Sequence, residues 1–481
     1  MNSSTLWWRG LSIVTLVAIL VSLSSISLHP LESHEAFVLV AAQAMHDHQD
    51  WVVPWFNGEY RLTKPPMNYW VTAFIAWVMG GVNDIQPWHA RAVSALSGVG
   101  IVLLTAFNGR KLFDPATGLL ASLMLATSSG FFYYTHSARP EMLYAFFCGL
   151  ALTAYIYARD AALSSTMQKI NSNLVWFAFA LATLTKGPQL PAMFLIAFVV
   201  DCRLRNLTTK QQLTLLQPIS GLLVFTLVAL PWWLLLHYRV PASAIANSQI
   251  SGTLLSIDFL KAINPYYLYR PFQLMLPWLF FIPALLYLFR DKLKNKNKSV
   301  NVFLLVLLFV LPVIMLSFGP QKRWYYMMPS LMPMFLLLSA GMVGFVRAGT
   351  PDQAWVKGLV YLFVLIPISC IVVVNTSYVL SKERMAEQRL AKLAYEQVKL
   401  GRRLITFGVS PQIYIYFTKH PVISVGSNKQ LLTVLNEKPQ QPILLVIQTK
   451  EVERLPKTVK IEVIQETRKD DNTRISLLQI N

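Results

Sequence analysis

The sequence predicts an α-helical polytopic membrane protein with a small α/β domain at its C-terminal end. Of the 481 residues, 54% are apolar and only 14% are charged, which is more apolar surface than one or two soluble cores bury. Apolar runs of about 17–25 residues recur along the chain, and about 20 residues of helix cross the hydrocarbon layer of a bilayer. After residue 378 the charge rises and the apolar runs shorten. We therefore expect about 11–13 transmembrane helices in residues 1–378 and an α/β domain in 379–481.

The first apolar run is predicted to be an uncleaved span. Only Arg9 precedes it, and no small-x-small cleavage site leads into a polar segment, as a secretory signal peptide would require. The formal net charge of +19 is explained by the cytoplasmic excess of Lys and Arg in membrane proteins, so no nucleic acid partner is expected. The three cysteines lie in or beside apolar runs at unrelated spacings and are interpreted as packing residues.

Alternating the chain across the membrane predicts the order of the remaining spans. With Arg9 inside, Arg110, Lys111 and the basic run at 290–298 also fall inside, as the positive-inside rule expects. Long external loops are predicted at 29–89 and 238–270, the first with amphipathic helices at 35–45 and 66–79 in the interface plane. The predicted spans are 11–28, 90–107, 117–134, 142–158, 173–186, 188–202, 214–237, 272–289, 301–318, 327–346 and 357–378.

The last hundred residues alternate strand-like and helix-like segments. Helices are predicted at 384–399 and 427–436. Short β-branched and aromatic runs predict strands at 402–409, 413–417, 421–425, 442–448, 459–465 and 475–480.

Four features of the predicted external face could carry chemistry. They are His34-Glu35, Lys64 before a rigid diproline, Arg139 with Glu141, and the cations Lys186, Arg270, Lys322 and Arg323 with tyrosines nearby, Tyr326 among them. Singly, such cations snorkel at span ends, and Glu35 could serve only as a first-turn helix acid. Together, cations and tyrosine hydroxyls suit a phosphate, and a carboxylate suits deprotonation of an attacking hydroxyl.

Other chemistries have no matching motif in the sequence. It contains no Gly-rich phosphate loop, no G-x-S-x-G and no H-E-x-x-H, so no nucleotide cofactor is expected. The segment His46-Asp47-His48 reads as a polar helix end rather than a metal site. A divalent cation as cofactor is left open.

The first external loop resembles that of the GT-C glycosyltransferases that use lipid carriers. It is most similar to the aminoarabinose transferases that modify lipid A, and more distantly similar to the protein O-mannosyltransferases. The matching residues are Glu35, Asp50-Trp51, Asn57-Gly58, Lys64-Pro65-Pro66 and Tyr69-Trp70, with Lys186-Gly187-Pro188 and Lys322, Tyr326 and Pro329 further on. The chain departs from the family pattern at its acids, with His34 in place of Asp, Phe37 in place of Arg, Thr63 in place of Glu and Glu141 in place of Asp.

The resemblance implies an inverting transfer of a sugar from a polyprenyl-phosphate carrier to a lipid, glycan or protein. It places the enzyme in the bacterial inner membrane with its active site facing the periplasm. The donor phosphate would be neutralised by Lys64, Lys186, Arg270, Lys322, Arg323 and Tyr326. Glu35 is the first candidate for general base or acceptor-orienting group, His34 is the second, and Glu141 would assist.

Two other classes of function are compatible with parts of this pattern. Because the acids are altered, a non-catalytic subunit that binds or assembles lipid-linked glycans is the main alternative. A transporter or flippase fits less well, since it would carry charges near the midplane of its spans, and the charges here lie at span ends.

Overall fold

The computed structural model describes residues 3–248, 265–285, 288, 296–319, 322–348, 353–377, 382–436, 442–455, 460–470 and 473–480. Residues 249–264 of the predicted loop 238–270 and much of the basic run at 290–298 lie outside the described residues. The contacts divide the chain into two compact units. The first unit holds residues 1–26, 62–71 and 91–374, and the second holds 27–61, 72–90 and 375–481.

Helices dominate residues 3–377, as the sequence predicts. Six helices among the described residues are long and apolar enough to cross a membrane, or seven if a bent pair counts as one span. The fold is therefore that of a multi-pass membrane protein. The helices are Ser3–Leu23, Ser33–Asp47, Met67–Val78, Pro87–Leu112, Pro115–Ala126, Ser129–Thr135, Pro140–Ala158, Ser165–Lys186, Gln189–Leu204, Thr209–Leu216, Pro218–Arg239, Ala242–Ala246, Tyr266–Tyr269, Lys296–Ser317, Leu331–Ala348 and Gln353–Ser377.

Two predicted spans are not single straight helices. The span predicted at 117–134 is broken into Pro115–Ala126 and Ser129–Thr135, which meet at 56°. Ser128 causes the break by capping the second helix, since its side chain accepts a hydrogen bond from the backbone N–H of Phe131. The described part of the span predicted at 272–289 contains the 3₁₀ turns Arg270–Met275 and Trp278–Phe281. Pro271 and Pro277 lack the N–H that a regular helix would need there.

The second unit contains a hairpin and a five-stranded sheet. The hairpin pairs β1 (Trp55–Phe56) with β2 (Glu59–Tyr60). The sheet has the order β4-β3-β5-β7-β6. Strand β3 is parallel to β4 and β5, and β7 is antiparallel to β5 and β6. Its strands are β3 (Arg403–Phe407), β4 (Ile423–Val425), β5 (Ile443–Gln448), β6 (Ile461–Asp470) and β7 (Thr473–Ile480), and its helices are Lys382–Val398, Gln412–Thr418 and Asn428–Asn436.

The strand predicted at 413–417 was wrong, because these residues form part of the helix Gln412–Thr418. The alternation of Ile and Tyr has the period of a strand, but β3 and β4 are parallel neighbours. Parallel strands need a crossover connection, which is usually helical. The helix buries Ile413 and Tyr414 in the core on one face of the sheet, beside Leu444 of β5.

A close approach between two helices of the first unit depends on a glycine. A Cβ atom on Gly118 would lie 2.3 Å from the carbonyl oxygen of Ala106 and 2.8 Å from the backbone N of Arg110. Backbone atoms cannot move aside as a side chain can. Gly149 offers a contrast, since its Cβ would meet the terminal methyl of Met332 at 2.7 Å, and that methyl can rotate away.

We predict that Gly118→Ala lowers the free energy of unfolding by about 1–3 kcal/mol, the range for overpacking a well-packed site. Gly149→Ala is the matched control and should have a much smaller effect. The midpoint of thermal unfolding of the detergent-solubilised protein measures both. Equal midpoints for the two variants would contradict the role assigned to Gly118.

Candidate active site

A buried ion pair joins two helices at one end of the first unit. Nζ of Lys186 lies 2.9 Å from Oε1 of Glu141, with the side chains 10% and 5% exposed. Glu141 lies in the first turn of Pro140–Ala158, and Lys186 is the last residue of Ser165–Lys186. Each charge is also favoured by the partial charge of its own helix end. Both residues were predicted for the site from the sequence, and the structure brings them together.

The turn after Lys186 fixes the position of its ammonium group. Gly187 has φ +119°, a conformation that favours glycine. The hydroxyl of Tyr144 donates to the carbonyl oxygen of Gly187 at 3.0 Å and accepts from the backbone N of Leu190 at 3.3 Å. Tyr144 lies one turn after Glu141, so one helix supplies both the counter-ion of Lys186 and the anchor of the following turn.

Aromatic rings surround the lysine. Its Nζ lies 4.2 Å from the ring centroid of Tyr326, 5.4 Å from that of Tyr325 and 5.9 Å from that of Tyr144. Cations are attracted to ring faces within about 6 Å, more strongly where water is excluded. Tyr326 therefore contacts the candidate phosphate-binding lysine directly, and its own role toward a phosphate stays a prediction.

Two further cations act on the carboxylate of the ion pair. Arg139 and Lys64, together with Lys186, act electrostatically on Glu141, and the guanidinium of Arg139 lies 5.6 Å from the ring centroid of Tyr325. Three cations therefore act on one carboxylate. Oε2 of Glu141 is buried and has no hydrogen-bond partner among the described residues. Such a group normally binds a partner.

The remaining predicted cations border the aromatic segment. The hydroxyl of Tyr267 accepts from the backbone N of Arg323 at 2.9 Å, and that of Tyr266 accepts from the backbone N of Trp324 at 3.1 Å. These bonds hold the start of the 3₁₀ segment Trp324–Ser330, which carries Tyr325 and Tyr326. Lys322 is half-buried, Arg323 is exposed, and the exposed Arg270 lies 5.7–5.9 Å from the rings of Tyr269 and Tyr266. The structure therefore gives these three residues positions beside the aromatic segment, and their phosphate contacts stay a prediction.

The two first-loop candidates, Glu35 and His34, belong to the second unit. Glu35 is 1% exposed, and its Oε2 accepts from the backbone N–H of Glu32 at 2.9 Å at the start of the helix Ser33–Asp47. His34 is exposed, with its ring 6.5 Å from that of Phe37. Glu35 therefore caps a helix, and its catalytic role stays a prediction.

Arg61, to which the sequence analysis gave no role, lies against Phe37. Its guanidinium is 3.8 Å from the ring centroid of Phe37 and 5.6 Å from that of Phe56. Phe37 stands where the resembling family carries an arginine. A cation from another part of the second unit thus covers this position.

The charge of the Glu141 cluster suits an anion better than a metal ion. The carboxylate that would bind a metal already pairs with Lys186, and two more cations act on it. Among the residues that the structure describes, no three His, Cys, Asp or Glu side chains are grouped as metal ligands. In the segment His46–His48, Nε2 of His46 lies 3.1 Å from Oδ1 of Asn83.

We predict that Lys186→Met destabilises the protein by roughly 3–5 kcal/mol, because it leaves a buried carboxylate without its counter-ion. The double variant Glu141→Gln/Lys186→Met should recover most of this loss. The exposed pair Lys419–Asp84, with side chains 56% and 58% exposed, is the control, and breaking it should cost at most about 1 kcal/mol. A double-mutant cycle of unfolding midpoints measures the coupling, and additive effects of the two site substitutions would argue against the pair.

Known proteins share both the sequence pattern and the fold. A family profile described as dolichyl-phosphate-mannose-protein mannosyltransferase matches residues 35–247. An undecaprenyl phosphate-alpha-4-amino-4-deoxy-L-arabinose arabinosyl transferase of Shewanella sediminis is 28% identical over 63% of this chain and 54% of its own length. The chain spans about half the length of the curated relatives it matches, with 57%, 45% and 54% of three of them covered.

Solved structures match over almost the whole chain. ArnT from Cupriavidus metallidurans bound to undecaprenyl phosphate has a TM-score of 0.77 at 17% identity, over 99% of this chain and 98% of that one. The oligosaccharyltransferase AglB from Archaeoglobus fulgidus, in complex with an inhibitory peptide and a dolichol-phosphate, has a TM-score of 0.56 at 12% identity, over 92% and 69%. The sequence match and the fold agree with the resemblance in the first loop. The chain therefore has the fold of ArnT, and its sequence is similar to the mannosyltransferase profile and to the arabinosyl transferases.

Proposed function

We propose that this protein is an inverting glycosyltransferase that uses a polyprenyl-phosphate-linked sugar as its donor. The acceptor is a lipid, a glycan or a protein, and the enzyme works in the bacterial inner membrane with its site facing the periplasm. The observation that carries the proposal is the largely buried cluster in which Lys186, Arg139 and Lys64 all act on the carboxylate of Glu141. The donors named for several similar proteins, undecaprenyl phosphate and dolichyl phosphate, support it.

The charge of the cluster fits the charge that develops in the reaction. A sugar phosphodiester carries one negative charge. When the bond between the anomeric carbon and the phosphate oxygen breaks, its electron pair stays on the phosphate, which becomes a monoester with a charge near −2 at neutral pH. Cations beside the phosphate therefore bind the departing group more strongly than the intact donor, and such differential binding accelerates the step.

The reaction also needs attack by an acceptor hydroxyl and removal of its proton. The acceptor hydroxyl forms the new bond to the anomeric carbon from the face opposite the phosphate, so the configuration inverts, and its proton passes to a base. We propose Glu35 as that base or as the group that orients the acceptor, with His34 as the second candidate. Glu141 is proposed as a positioning residue, because its carboxylate is engaged with Lys186.

Replacing Lys64 tests the phosphate-binding end. Lys64 is half-buried, so Lys64→Gln should fold, and we expect kcat for transfer from a synthetic polyprenyl-phosphate sugar to fall by about 10²–10³, as for loss of one donor to a developing anion. Arg203→Gln removes the same charge from an exposed position and serves as the control. Wild-type activity in Lys64→Gln would contradict the assignment.

Replacing Glu35 tests the base separately from the helix cap. In Glu35→Gln the amide oxygen can still accept the backbone N–H of Glu32, as Gln does in capping boxes, but it cannot accept a proton. We expect transfer to fall strongly while binding of polyprenyl phosphate and the unfolding midpoint stay near wild type. His34→Gln, compared in the same assay, shows which of the two residues carries the proton.

Wild-type protein that binds polyprenyl phosphate but transfers no sugar from any donor would overturn the enzyme proposal. That result would favour the non-catalytic lipid-glycan binding subunit.

A further inference from the structure

A second charged site lies at the opposite ends of the helices that carry the ion pair. Pro140–Ala158 begins next to Glu141 and ends next to Arg159, and these two residues are separated by roughly 27 Å at 1.5 Å per residue. Around Arg159 the structure forms a cavity of about 890 Å³. The cavity is lined by five cations, namely Lys111, Arg159, Lys169, Arg205 and Lys210.

Two of these cations are held rigidly by shared partners. Oδ2 of the fully buried Asp201 accepts from Nη1 of Arg159 at 2.7 Å and from Nε of Arg205 at 2.9 Å. Oδ1 of Asn301 accepts from Nη2 of both arginines, at 3.1 Å and 2.6 Å. The hydroxyl of Tyr155 donates to the same carboxylate oxygen at 2.7 Å. A network that fixes two guanidinium groups side by side prepares them for an anion.

The fixed arginines keep donors for a ligand. A guanidinium has five N–H donors, and the bonds to Asp201 and Asn301 use two on each arginine. The remaining N–H donors of Arg159 and Arg205 can bind an anion, and the two arginines share one counter-ion, Asp201.

The cavity as a whole carries a positive surplus. Lys111 pairs with Asp160, and the two arginines share Asp201. Lys169 and Lys210 are exposed and form no ion pair among the described residues. Two carboxylates therefore face five cations. Snorkelling at span ends accounts for isolated cations, but it does not account for two arginines locked together at a concave surface.

We propose that this cavity binds a phosphate group of net negative charge, as on an anionic phospholipid headgroup. Its position at the ends of several apolar helices places it where headgroups lie, and basic pockets between transmembrane helices bind such headgroups. The cavity is separate from the Glu141–Lys186 site, since the two sites lie at opposite ends of one helix. The proposal is therefore independent of the proposed glycosyl transfer.

Binding of short-chain phosphatidylglycerol to the full-length detergent-solubilised protein tests the cavity. Phosphatidylcholine with the same acyl chains is the zwitterionic control, and inorganic phosphate is a third probe. We expect Lys169→Gln and Lys210→Gln each to weaken phosphatidylglycerol binding about fivefold, the effect of one cation near a headgroup. Both lysines are exposed, so the variants should fold, and an unchanged unfolding midpoint verifies this.

Arg203→Gln is the matched control, because Arg203 is an exposed cation in the last turn of Gln189–Leu204 that does not line the cavity. It should leave the affinity unchanged. If inorganic phosphate binds with the same dependence on the two lysines while phosphatidylglycerol does not, the phosphate site stands and its ligand is free phosphate. If the lysine variants bind every probe as wild type does, or if Arg203→Gln weakens binding as much as they do, the proposal is overturned.

Discussion

The buried ion pair between Lys186 and Glu141 is the interaction on which the candidate site depends. Neither charge could stay in this largely dehydrated place alone, because desolvating an unpaired ion costs several kcal/mol. Pairing fixes the end of Ser165–Lys186 against the start of Pro140–Ala158. The turn at Gly187, anchored by Tyr144, and the rings of Tyr325 and Tyr326 then define where the ammonium points. A ligand meets a cation that is already positioned and needs little reorganisation.

A second set of paired charges lies at the other end of Pro140–Ala158. There one carboxylate, Asp201, holds two arginines, whereas in the candidate site three cations act on one carboxylate, Glu141. At each end, more than one cation thus acts on a single buried acid. This follows from the constraint that apolar spans leave ionic groups only at their ends, where water and headgroups offset part of the desolvation cost.

Sequence reasoning succeeded where the signal is local and failed where it depends on tertiary contacts. Hydropathy and the positions of basic residues predicted most helices. Alternating the spans across the membrane put Lys64, Glu141 and Lys186 on one side, and these residues lie together in the structure. The pairing of Glu141 with a lysine 45 residues later has no local signal, although the position of Tyr144 one helical turn after Glu141 was readable. The bend at Ser128 and the helix at 412–418 were missed, because a capping serine and a parallel crossover outweigh the apolar periodicity.

The altered acids of the first loop can now be ranked on physical grounds. Glu35 is buried and its carboxylate is oriented by the backbone N–H of Glu32. A carboxylate has about four acceptor positions, so one capping bond fixes its direction without using up its capacity to accept a proton. His34 is exposed beside Phe37, and the Phe37 ring is covered by Arg61. A base needs a fixed direction toward its proton, and the bond from the backbone N–H of Glu32 supplies one for Glu35. We therefore keep Glu35 as the first candidate for the base and His34, which stands in the place of the family's aspartate, as the second.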